Sequence, residues 1–241
     1  MPLEGKSILI TGGARRIGRH LSISLAKLGA DIVIHYGNSK KEAQSTAAEI
    51  SSLGRQTWLI QADLNNPGRV AQIVTEAMNC TRLYAVINNA AIFEPVAFAD
   101  TNLSTWQNHL NINLTAPFLL SQAFAASLPP KSSGRIINML DWRALRPTSD
   151  HFAYSISKAG LAALTKSMAV ALAPGITVNG IALGAVLPPT EQPVTSSILE
   201  RVPSGRWADL DEVTQTVLFF LDGPSYVTGE IVHLDGGRHL V

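Results

Sequence analysis

The amino-acid sequence predicts an α/β fold in which a doubly wound, seven-stranded parallel sheet carries helices on both faces. Short runs rich in β-branched residues alternate with longer helical patterns along all 241 residues. The strand candidates are apolar throughout rather than alternating, which indicates strands buried on both faces. Right-handed crossovers join such strands into a doubly wound sheet. Because no repeat, low-complexity segment or linker divides the chain, we expect a single domain over residues 1–241.

Strands and helices follow one another in a regular order. The predicted strands cover residues 7–11, 31–35, 57–61, 85–88, 135–139, 177–181 and 231–234. The predicted helices cover residues 16–28, 40–53, 67–79, 104–127, 150–173 and 209–221. This order is that of successive βαβ units, which build a parallel sheet.

One late segment, residues 184–206, does not fit the alternation. It follows the sixth strand and contains Pro188, Pro189, Pro193 and Pro203 among polar residues. We predict a mobile flap over the ligand crevice, because long irregular connections often cover binding sites. A merely irregular connection is the alternative.

Composition narrows the class of partner and the compartment. The chain has 19 Lys+Arg against 18 Asp+Glu, so no global field attracts nucleic acid or an anionic membrane. A single cysteine, Cys80, excludes an internal disulfide and suits a reducing compartment. The apolar residues 8–10 are too short for a secretory signal, and no run approaches the roughly 18 residues of a membrane span. We therefore expect a cytoplasmic protein, and we predict no metal site.

A glycine-rich turn, residues 11–18 (Thr-Gly-Gly-Ala-Arg-Arg-Ile-Gly), joins the first predicted strand to the first helix. Backbone N–H groups in such a turn, and the helix N-terminus behind it, receive a pyrophosphate. We assign Gly12, Arg16, Ile17 and Gly18 to cofactor binding. Glycine also occurs in tight turns for conformational reasons alone. The assignment therefore depends on the position of this turn between a strand and a helix.

The end of the second strand predicts which nucleotide binds. Sites that prefer NAD place Asp or Glu here for the ribose 2′-hydroxyl, but no acid occurs before Glu42, inside the next helix. Asn38, Ser39 and Lys40 instead offer donors that suit a 2′-phosphate. The alternative role for Ser39 is that of the N-cap of the next helix, and the two roles are compatible. We predict NADPH.

Other strand ends contribute expected cofactor contacts. Asp63 and Leu64, after the third strand, are positioned to hold the adenine edge, and Asn89 and Ala90, after the fourth, to pass beneath the cofactor. Gly184, after the sixth strand, is assigned to the same site. All lie at the carboxyl ends of strands, where open α/β sheets bind ligands.

The most informative group in the sequence is Asp141, Tyr154 and Lys158. Tyr154 and Lys158 are four residues apart in a predicted helix and share a face. A lysine ammonium beside a phenol favours the phenolate, so we expect the Tyr154 pKa to fall below about 10 and the phenol to deliver a proton near neutral pH. Asp141 follows the preceding strand, in the same ligand-facing position.

These motifs resemble the short-chain dehydrogenase/reductase family. The matching features run in order through almost the whole chain: the turn at 11–18, Asn88-Asn89-Ala90, Asn113, the Tyr154–Lys158 pair and Asp235-Gly236-Gly237. The resemblance implies a Rossmann fold, a nicotinamide cofactor and a homotetramer. It also implies that Tyr154 donates the proton, that Lys158 binds the ribose and lowers the Tyr154 pKa, and that Asn113 supports a proton-relay water. For Asn113 the alternative is a polar residue within an otherwise apolar helix.

Two departures from the family pattern predict the substrate. The family commonly has Ser where this chain has Asp141, and Gly where it has Arg16. An ionised carboxylate only accepts hydrogen bonds, and it repels the alkoxide that develops on a ketone oxygen. It suits a ring with N–H and amino donors, and with a raised pKa it can protonate a ring nitrogen. We therefore predict reduction of a C=N bond in a nitrogen heterocycle.

The same combination resembles the pteridine reductases, which use NADPH. The shared features are Arg16, His35 after the second strand, the aromatic Phe93 just after Asn-Asn-Ala, and Asp141. The resemblance implies a pterin stacked on Phe93, contacted by Arg16 and bound by Asp141, which shares proton transfer with Tyr154. We predict an NADPH-dependent pteridine reductase acting on dihydrobiopterin, dihydrofolate or a related pterin.

Other hypotheses remain open for the function and for these residues. The first alternative is a carbonyl reductase of the same family, acting on a 3-oxoacyl thioester or a sugar, and the second is a non-catalytic NADP-binding regulator. The alternative for Phe93 is that it is an ordinary loop residue. The alternative for Arg16 is that it only begins the helix near bound phosphate. Asp141 has the alternative of a helix cap or of an ion-pair partner for Arg143 or Arg146.

Overall fold

The computed structural model describes residues 1–188 and 196–241 of the chain. Residues 189–195, with Pro189 and Pro193, lie outside the described residues. The predicted mobile flap at 184–206 includes this stretch, and the mobility of that segment stays a prediction.

Seven parallel strands form one sheet, as predicted. They are β1 (Ser7–Thr11), β2 (Asp31–Tyr36), β3 (Thr57–Gln61), β4 (Leu83–Asn88), β5 (Gly134–Asp141), β6 (Ile176–Leu183) and β7 (Ile231–Leu234). Their order across the sheet is β3-β2-β1-β4-β5-β6-β7, and every neighbouring pair is parallel. The longest pairing joins β5 to β6 and extends to Asp141 opposite Leu183, which makes Asp141 the last residue of its strand.

Helices connect the strands close to the predicted positions. They are α1 (Arg16–Lys27), α2 (Lys40–Ser52), α3 (Pro67–Cys80), α4 (Leu103–Leu110), α5 (Ala116–Ser127), α6 (Phe152–Leu172) and α7 (Leu210–Asp222). One prediction was wrong: the single helix expected over 104–127 is α4 and α5 separated by a π-helical turn at Asn111–Thr115. Buried Asn113 lies in this turn.

Both faces of the sheet are buried, in keeping with the apolar strands. Ile8 and Ile10 of β1 belong to a cluster that includes buried residues of α1, α2 and α7. Leu9, between them, faces the other way and packs in a cluster with residues of α3, α5 and α6. Successive side chains of a strand thus point to opposite faces of the sheet and pack in two separate cores. Within the described residues, no helix is long and apolar enough to cross a membrane.

Candidate active site

The site lies where β1 meets β4, at the carboxyl ends of the strands. From β1 the chain winds outward in one direction through β2 and β3, and in the other through β4 to β7. Such a switch point is where doubly wound sheets bind ligands. Thr11 fastens the two strand ends together, because its Oγ1 accepts hydrogen bonds from the backbone N–H groups of Asn89 (2.9 Å) and Ala90 (3.0 Å). The Asn89 side chain donates back to the Thr11 carbonyl over 2.8 Å.

The glycine-rich turn is shaped by the side chains that it lacks. A Cβ on Gly18 would lie 2.1 Å from the carbonyl oxygen of Gly12 and 2.7 Å from the Asn89 amide nitrogen. Gly12 itself has a φ of +62°, in the left-handed region that glycine adopts freely. The turn therefore brings its backbone close to the end of β4 with no side chain between them, as binding of a pyrophosphate requires.

Arg16 is unusual in this turn, because it is a non-glycine residue with a φ of +50°. That conformation costs an ordinary residue about 1–2 kcal/mol, and glycine adopts it without that cost. The Arg16 guanidinium donates a hydrogen bond of 3.1 Å to the carbonyl of Pro188, beyond the end of β6. The side chain therefore spans the crevice from the cofactor turn to the segment that follows β6.

An open cavity of about 380 Å³ lies beside this turn, between the starts of α1 and α2. Four basic side chains line it, namely Arg15, Arg16, Arg19 and Lys41, together with Glu42. A phosphate group suits such a cavity. Asn38, Ser39 and Lys40 are not among its lining residues, since the lining lysine is Lys41, one residue further into α2. Binding of a 2′-phosphate by those three residues stays a prediction. Ser39 occupies the N-cap position of α2, but its side chain makes no capping hydrogen bond.

His35 supports the turn from below. The ring is 2 % exposed; its Nδ1 accepts from the Gly12 N–H (3.4 Å) and its Nε2 donates to the Ala62 carbonyl (3.2 Å). Burial lowers the His35 pKa to about 4, against a smaller opposing effect of the Ala62 hydrogen bond, so the ring is neutral. The sequence also placed His35 among the cofactor-binding residues; both ring nitrogens are bonded to the backbone, and direct contact with the cofactor stays a prediction. His35 positions Gly12.

The remaining residues assigned to the cofactor have distinct surroundings. Asp63 is exposed, and one carboxylate oxygen accepts from the Asn65 N–H over 2.9 Å, which leaves the other available. Leu64 is buried in the core beside α3. Gly184 packs so closely on Asp235 that a Cβ would lie 2.6 Å from the Asp235 Cα, so its lack of a side chain has a packing cause. Cofactor contact by these three residues stays a prediction.

Asp141 and Tyr154 form the centre of the candidate site. The Tyr154 hydroxyl donates to Oδ2 of Asp141 over 3.1 Å. The other oxygen, Oδ1, accepts from the backbone N–H of Arg143 (2.8 Å) and lies 3.6 Å from the Arg143 guanidinium. Asp141 is thus a cap and an ion-pair partner, as one alternative held, and at the same time a direct partner of Tyr154. These interactions hold the carboxylate against the phenol.

The pKa of Tyr154 departs from the sequence-based expectation. Burial raises it well above 10, and the charge and hydrogen bond of Asp141 raise it further. Lys158 does not offset this: its Nζ donates to the Met139 carbonyl (2.7 Å) and lies 5.9 Å from the centre of the Tyr154 ring. Burial also lowers the Lys158 pKa to about 8. The expected fall in the Tyr154 pKa was wrong because a carboxylate, where relatives have a hydroxyl, penalises the phenolate.

Asn113 acts through its side chain on the loop after β4. Its amide donates to the Ile92 carbonyl and to the Ser157 hydroxyl, both over 3.0 Å, while its oxygen accepts from the Ile92 N–H over 2.9 Å. Both N–H groups are therefore used within the protein. Asn113 fixes Ile92, and with it the neighbouring Phe93, against α6; the proton-relay role stays a prediction.

Phe93 belongs to an aromatic group that the sequence only partly predicted. Its ring stacks on His151 (centroids 4.0 Å apart, 15° between planes) and meets Tyr154 edge-on at 4.7 Å. The Arg143 guanidinium lies 5.4 Å from the ring centre. Half of Phe93 is exposed, so the side chain remains accessible to a planar ligand. Sequence reasoning missed His151 and gave Arg143 only an ion pair, because neither residue lies in a periodic element; their place between Asp141 and Tyr154 was the only signal.

His151 is buried, and burial lowers its pKa despite the neighbouring Asp150. Its Nδ1 lies 3.0 Å from the Asp150 carboxylate, but the direction is too poor for a hydrogen bond. A neutral ring that stacks on Phe93 is the arrangement consistent with this burial.

Known proteins match this chain along almost its whole length. A family model described as enoyl-(acyl carrier protein) reductase matches residues 12–239. A 3-oxoacyl-[acyl-carrier-protein] reductase from Synechocystis is 32% identical over 240 residues, covering 98% of this chain and 97% of that protein.

Solved structures match equally well. The FolM alternative dihydrofolate reductase 1 from Brucella suis, in complex with NADP, has a TM-score of 0.91 and 32% identity, covering 98% of this chain and 96% of that one. A short chain dehydrogenase from Burkholderia cenocepacia, also in complex with NADP, has a TM-score of 0.93 and 32% identity, covering 99% of both chains.

Proposed function

Since this chain belongs to the short-chain dehydrogenase/reductase family, we propose that it is an NADPH-dependent pteridine reductase, which reduces a C=N bond of a dihydropterin or dihydrofolate ring. The chain is an oxidoreductase, and its cofactor is NADP(H), in keeping with the NADP complexes of its structural relatives. The observation that carries the pterin assignment is the Asp141 carboxylate bonded to Tyr154. The Brucella relative named as an alternative dihydrofolate reductase supports it.

The residues present fit the cofactor. The turn at Gly12 and Gly18 keeps its backbone free of side chains, and the cavity lined by Arg15, Arg19 and Lys41 suits a phosphate. When bound, the nicotinamide supplies the hydride. The protein residues at the other end of the crevice then have two tasks, which are to orient the ring and to provide a proton.

Orientation follows from charge and from the half-exposed aromatic ring. Asp141 accepts hydrogen bonds only, so it favours a ring that presents N–H and amino groups. Phe93 offers a surface for a flat bicyclic ring, worth about 1 kcal/mol beyond burial. A ketone gains nothing from Asp141, because the negative charge that develops on its oxygen is repelled by the carboxylate.

The proton comes from the Tyr154–Asp141 pair. Tyr154 remains protonated at neutral pH, because burial and Asp141 both raise its pKa. Loss of that proton to a ring nitrogen places a phenolate beside a carboxylate, which is costly unless the carboxylate charge is offset. Arg143, 3.6 Å from Asp141, and the N–H donors of a bound pterin provide that offset. A substrate without such donors leaves Arg143 alone to offset the carboxylate charge.

The assay that tests this proposal follows NADPH oxidation with three substrates, namely dihydrobiopterin, dihydrofolate and an acetoacetyl thioester. We expect kcat/KM for at least one pterin to exceed that for the thioester by about a hundredfold, the usual size of a general-acid contribution. The second candidate, a 3-oxoacyl thioester reductase, is favoured by the Synechocystis relative. Turnover of the thioester alone would establish that candidate, and tight NADPH binding without turnover of any substrate would support a regulator.

A further inference from the structure

A second open cavity, of about 610 Å³, lies beside the active site on the far side of Trp142. The turn after β5, the helical turn Ser196–Arg201 and the chain after β7 form its walls. Its charged lining residues are Arg146, Arg201, Arg238 and Glu200. We call this space the arginine cavity.

The arginine cavity carries an excess of positive charge. Three arginines line it with a single acidic side chain, Glu200, and within residues 1–188 and 196–241 none of the three lies in an ion pair. Arg238 is held in place by a hydrogen bond of 2.8 Å to the Arg201 carbonyl. Burial lowers the Arg238 pKa, and the charges of Arg201, Arg146 and Arg143 lower it further. The guanidinium groups thus repel one another, and an anion between them relieves that repulsion.

A continuous series of contacts connects the arginine cavity to the reacting groups. The Arg143 guanidinium lies 3.6 Å from the Asp141 carboxylate. The same guanidinium lies 4.8 Å from the centre of the Trp142 ring. Arg238 lies on the same indole at 4.7 Å. Arg143 also lies 5.4 Å from the Phe93 ring. The Trp142 indole, which both arginines contact, therefore lies between the space at Phe93 and Asp141 and the arginine cavity, and a tail attached to a ring in that space has to pass this indole to reach the positive charge.

We infer that the arginine cavity binds an anionic tail, a carboxylate or phosphate group, attached to the pterin ring of the substrate. The inference rests on the proposed function and narrows it: among pterins, the enzyme prefers those with a charged side chain, such as the glutamate of dihydrofolate, over those with a neutral one, such as dihydrobiopterin. Arginine suits this role, because its planar fork binds carboxylates and phosphates through paired hydrogen bonds.

The kinetic test compares substrates with and without a charged tail. The substrates are dihydrofolate, dihydrobiopterin and a dihydropterin phosphate monoester, assayed with the wild type, Arg201→Gln and the double variant R146Q/R201Q. Arg82→Gln is the matched control, since Arg82 is bonded to Ser132 near the amino end of β4. We expect Arg201→Gln to raise KM for the charged substrates about tenfold and the double variant to raise it further, with dihydrobiopterin unaffected. A loss limited to dihydrofolate assigns a carboxylate site, and a loss limited to the monoester assigns a phosphate site.

A binding measurement makes the test independent of turnover. Titration calorimetry of the NADP-loaded protein compares methotrexate, which carries a glutamate, with a 2,4-diaminopteridine that lacks it. We expect the wild type to favour methotrexate, Arg201→Gln to reduce that preference about tenfold, and added salt to weaken it as well.

Three outcomes would overturn the inference. The first is that Arg201→Gln behaves like Arg82→Gln towards every pterin while dihydrobiopterin is reduced, which leaves the proposed function intact. The second is that only turnover of an acetoacetyl-CoA thioester depends on Arg201, which assigns the cavity to the phosphates of a thioester. The third is that no pterin is reduced or bound, in which case the proposed function fails as well.

Discussion

The cofactor turn and the Asp141–Tyr154 pair lie on either side of β4, and the two are built in opposite ways. In the turn, shape comes from missing side chains: Gly18 sits so close to Gly12 that one added carbon would lie 2.1 Å from a carbonyl oxygen. In the pair, chemistry comes from side chains that touch, since Tyr154 donates directly to Asp141. The first region depends on steric fit and the second on charge.

The difference predicts how each region responds to change. The turn should not tolerate added volume, because its contacts are backbone contacts. The pair should tolerate changes of volume but not of charge, because the Asp141 carboxylate raises the pKa of Tyr154. Substitutions in the two regions therefore test the comparison from both sides.

The largest effect is expected for Gly18→Ala. The new methyl group would meet the Gly12 carbonyl and the Asn89 amide, so the turn must shift at the point where the cofactor binds. Overpacking of this kind costs up to about 3 kcal/mol, which predicts NADPH affinity lower by roughly a hundredfold. Fluorescence titration of NADPH measures it. Gly68→Ala, where the nearest atom lies at 3.5 Å, is the control and should bind normally; wild-type affinity in Gly18→Ala would remove the steric account of the turn.

His35, which accepts a hydrogen bond from Gly12 of the turn, should make the free energy of unfolding depend on pH. Its pKa is about 4 in the folded protein and 6.5 ordinarily, so the unfolded chain takes up the proton first as the pH falls. The stability from neutral His35 is complete above pH 6.5 and is lost as the pH falls to about 4, a change of about 3 kcal/mol. Urea unfolding between pH 7 and pH 4 should therefore show a shallower loss for His35→Asn than for the wild type.

The control for this prediction is His20→Asn, because the His20 side chain is partly exposed beside Asp211. It should lose stability in acid as the wild type does. Equal pH dependence in His35→Asn and the wild type would mean that the pKa of His35 is the same in the folded and the unfolded protein.

The smallest effect is expected for Phe93→Leu, at the substrate end. Loss of the aromatic surface removes about 1 kcal/mol of stacking, so KM for a pterin should rise about fivefold while kcat changes little. Steady-state kinetics measures both. Phe98→Leu, in which an exposed phenylalanine packed on Phe152 is changed, is the control. A fall in kcat without a change in KM would instead indicate that Phe93 acts by supporting Tyr154.

The sequence predicted the cofactor turn better than the substrate end. Gly12 and Gly18 belong to a local pattern in which strand, turn and helix follow one another, so residue order alone locates them. Among the residues that line the cavity beside this turn, Lys41 was missed, because it lies in α2, whose rotation relative to α1 the sequence does not contain.

At the substrate end, Asp141 and Tyr154 were correctly brought together, since a strand end and the following helix face the same crevice. The direction of the Tyr154 pKa was not predicted. It depends on whether Lys158 or Asp141 lies nearer the phenol, and the Lys158 ammonium turns to the Met139 carbonyl instead. The stack of Phe93 on His151 and the interruption at Asn113 were also missed, because both join segments distant in the chain.

The most direct test of the central claim is Asp141→Ser, which replaces the carboxylate by a hydroxyl. The account predicts that kcat/KM for dihydrobiopterin falls about a hundredfold, while kcat/KM for an acetoacetyl thioester stays constant or rises. The ratio of the two therefore shifts by at least about two orders of magnitude. An unchanged ratio, with the protein folded and NADPH bound normally, would contradict the claim that this carboxylate selects the substrate.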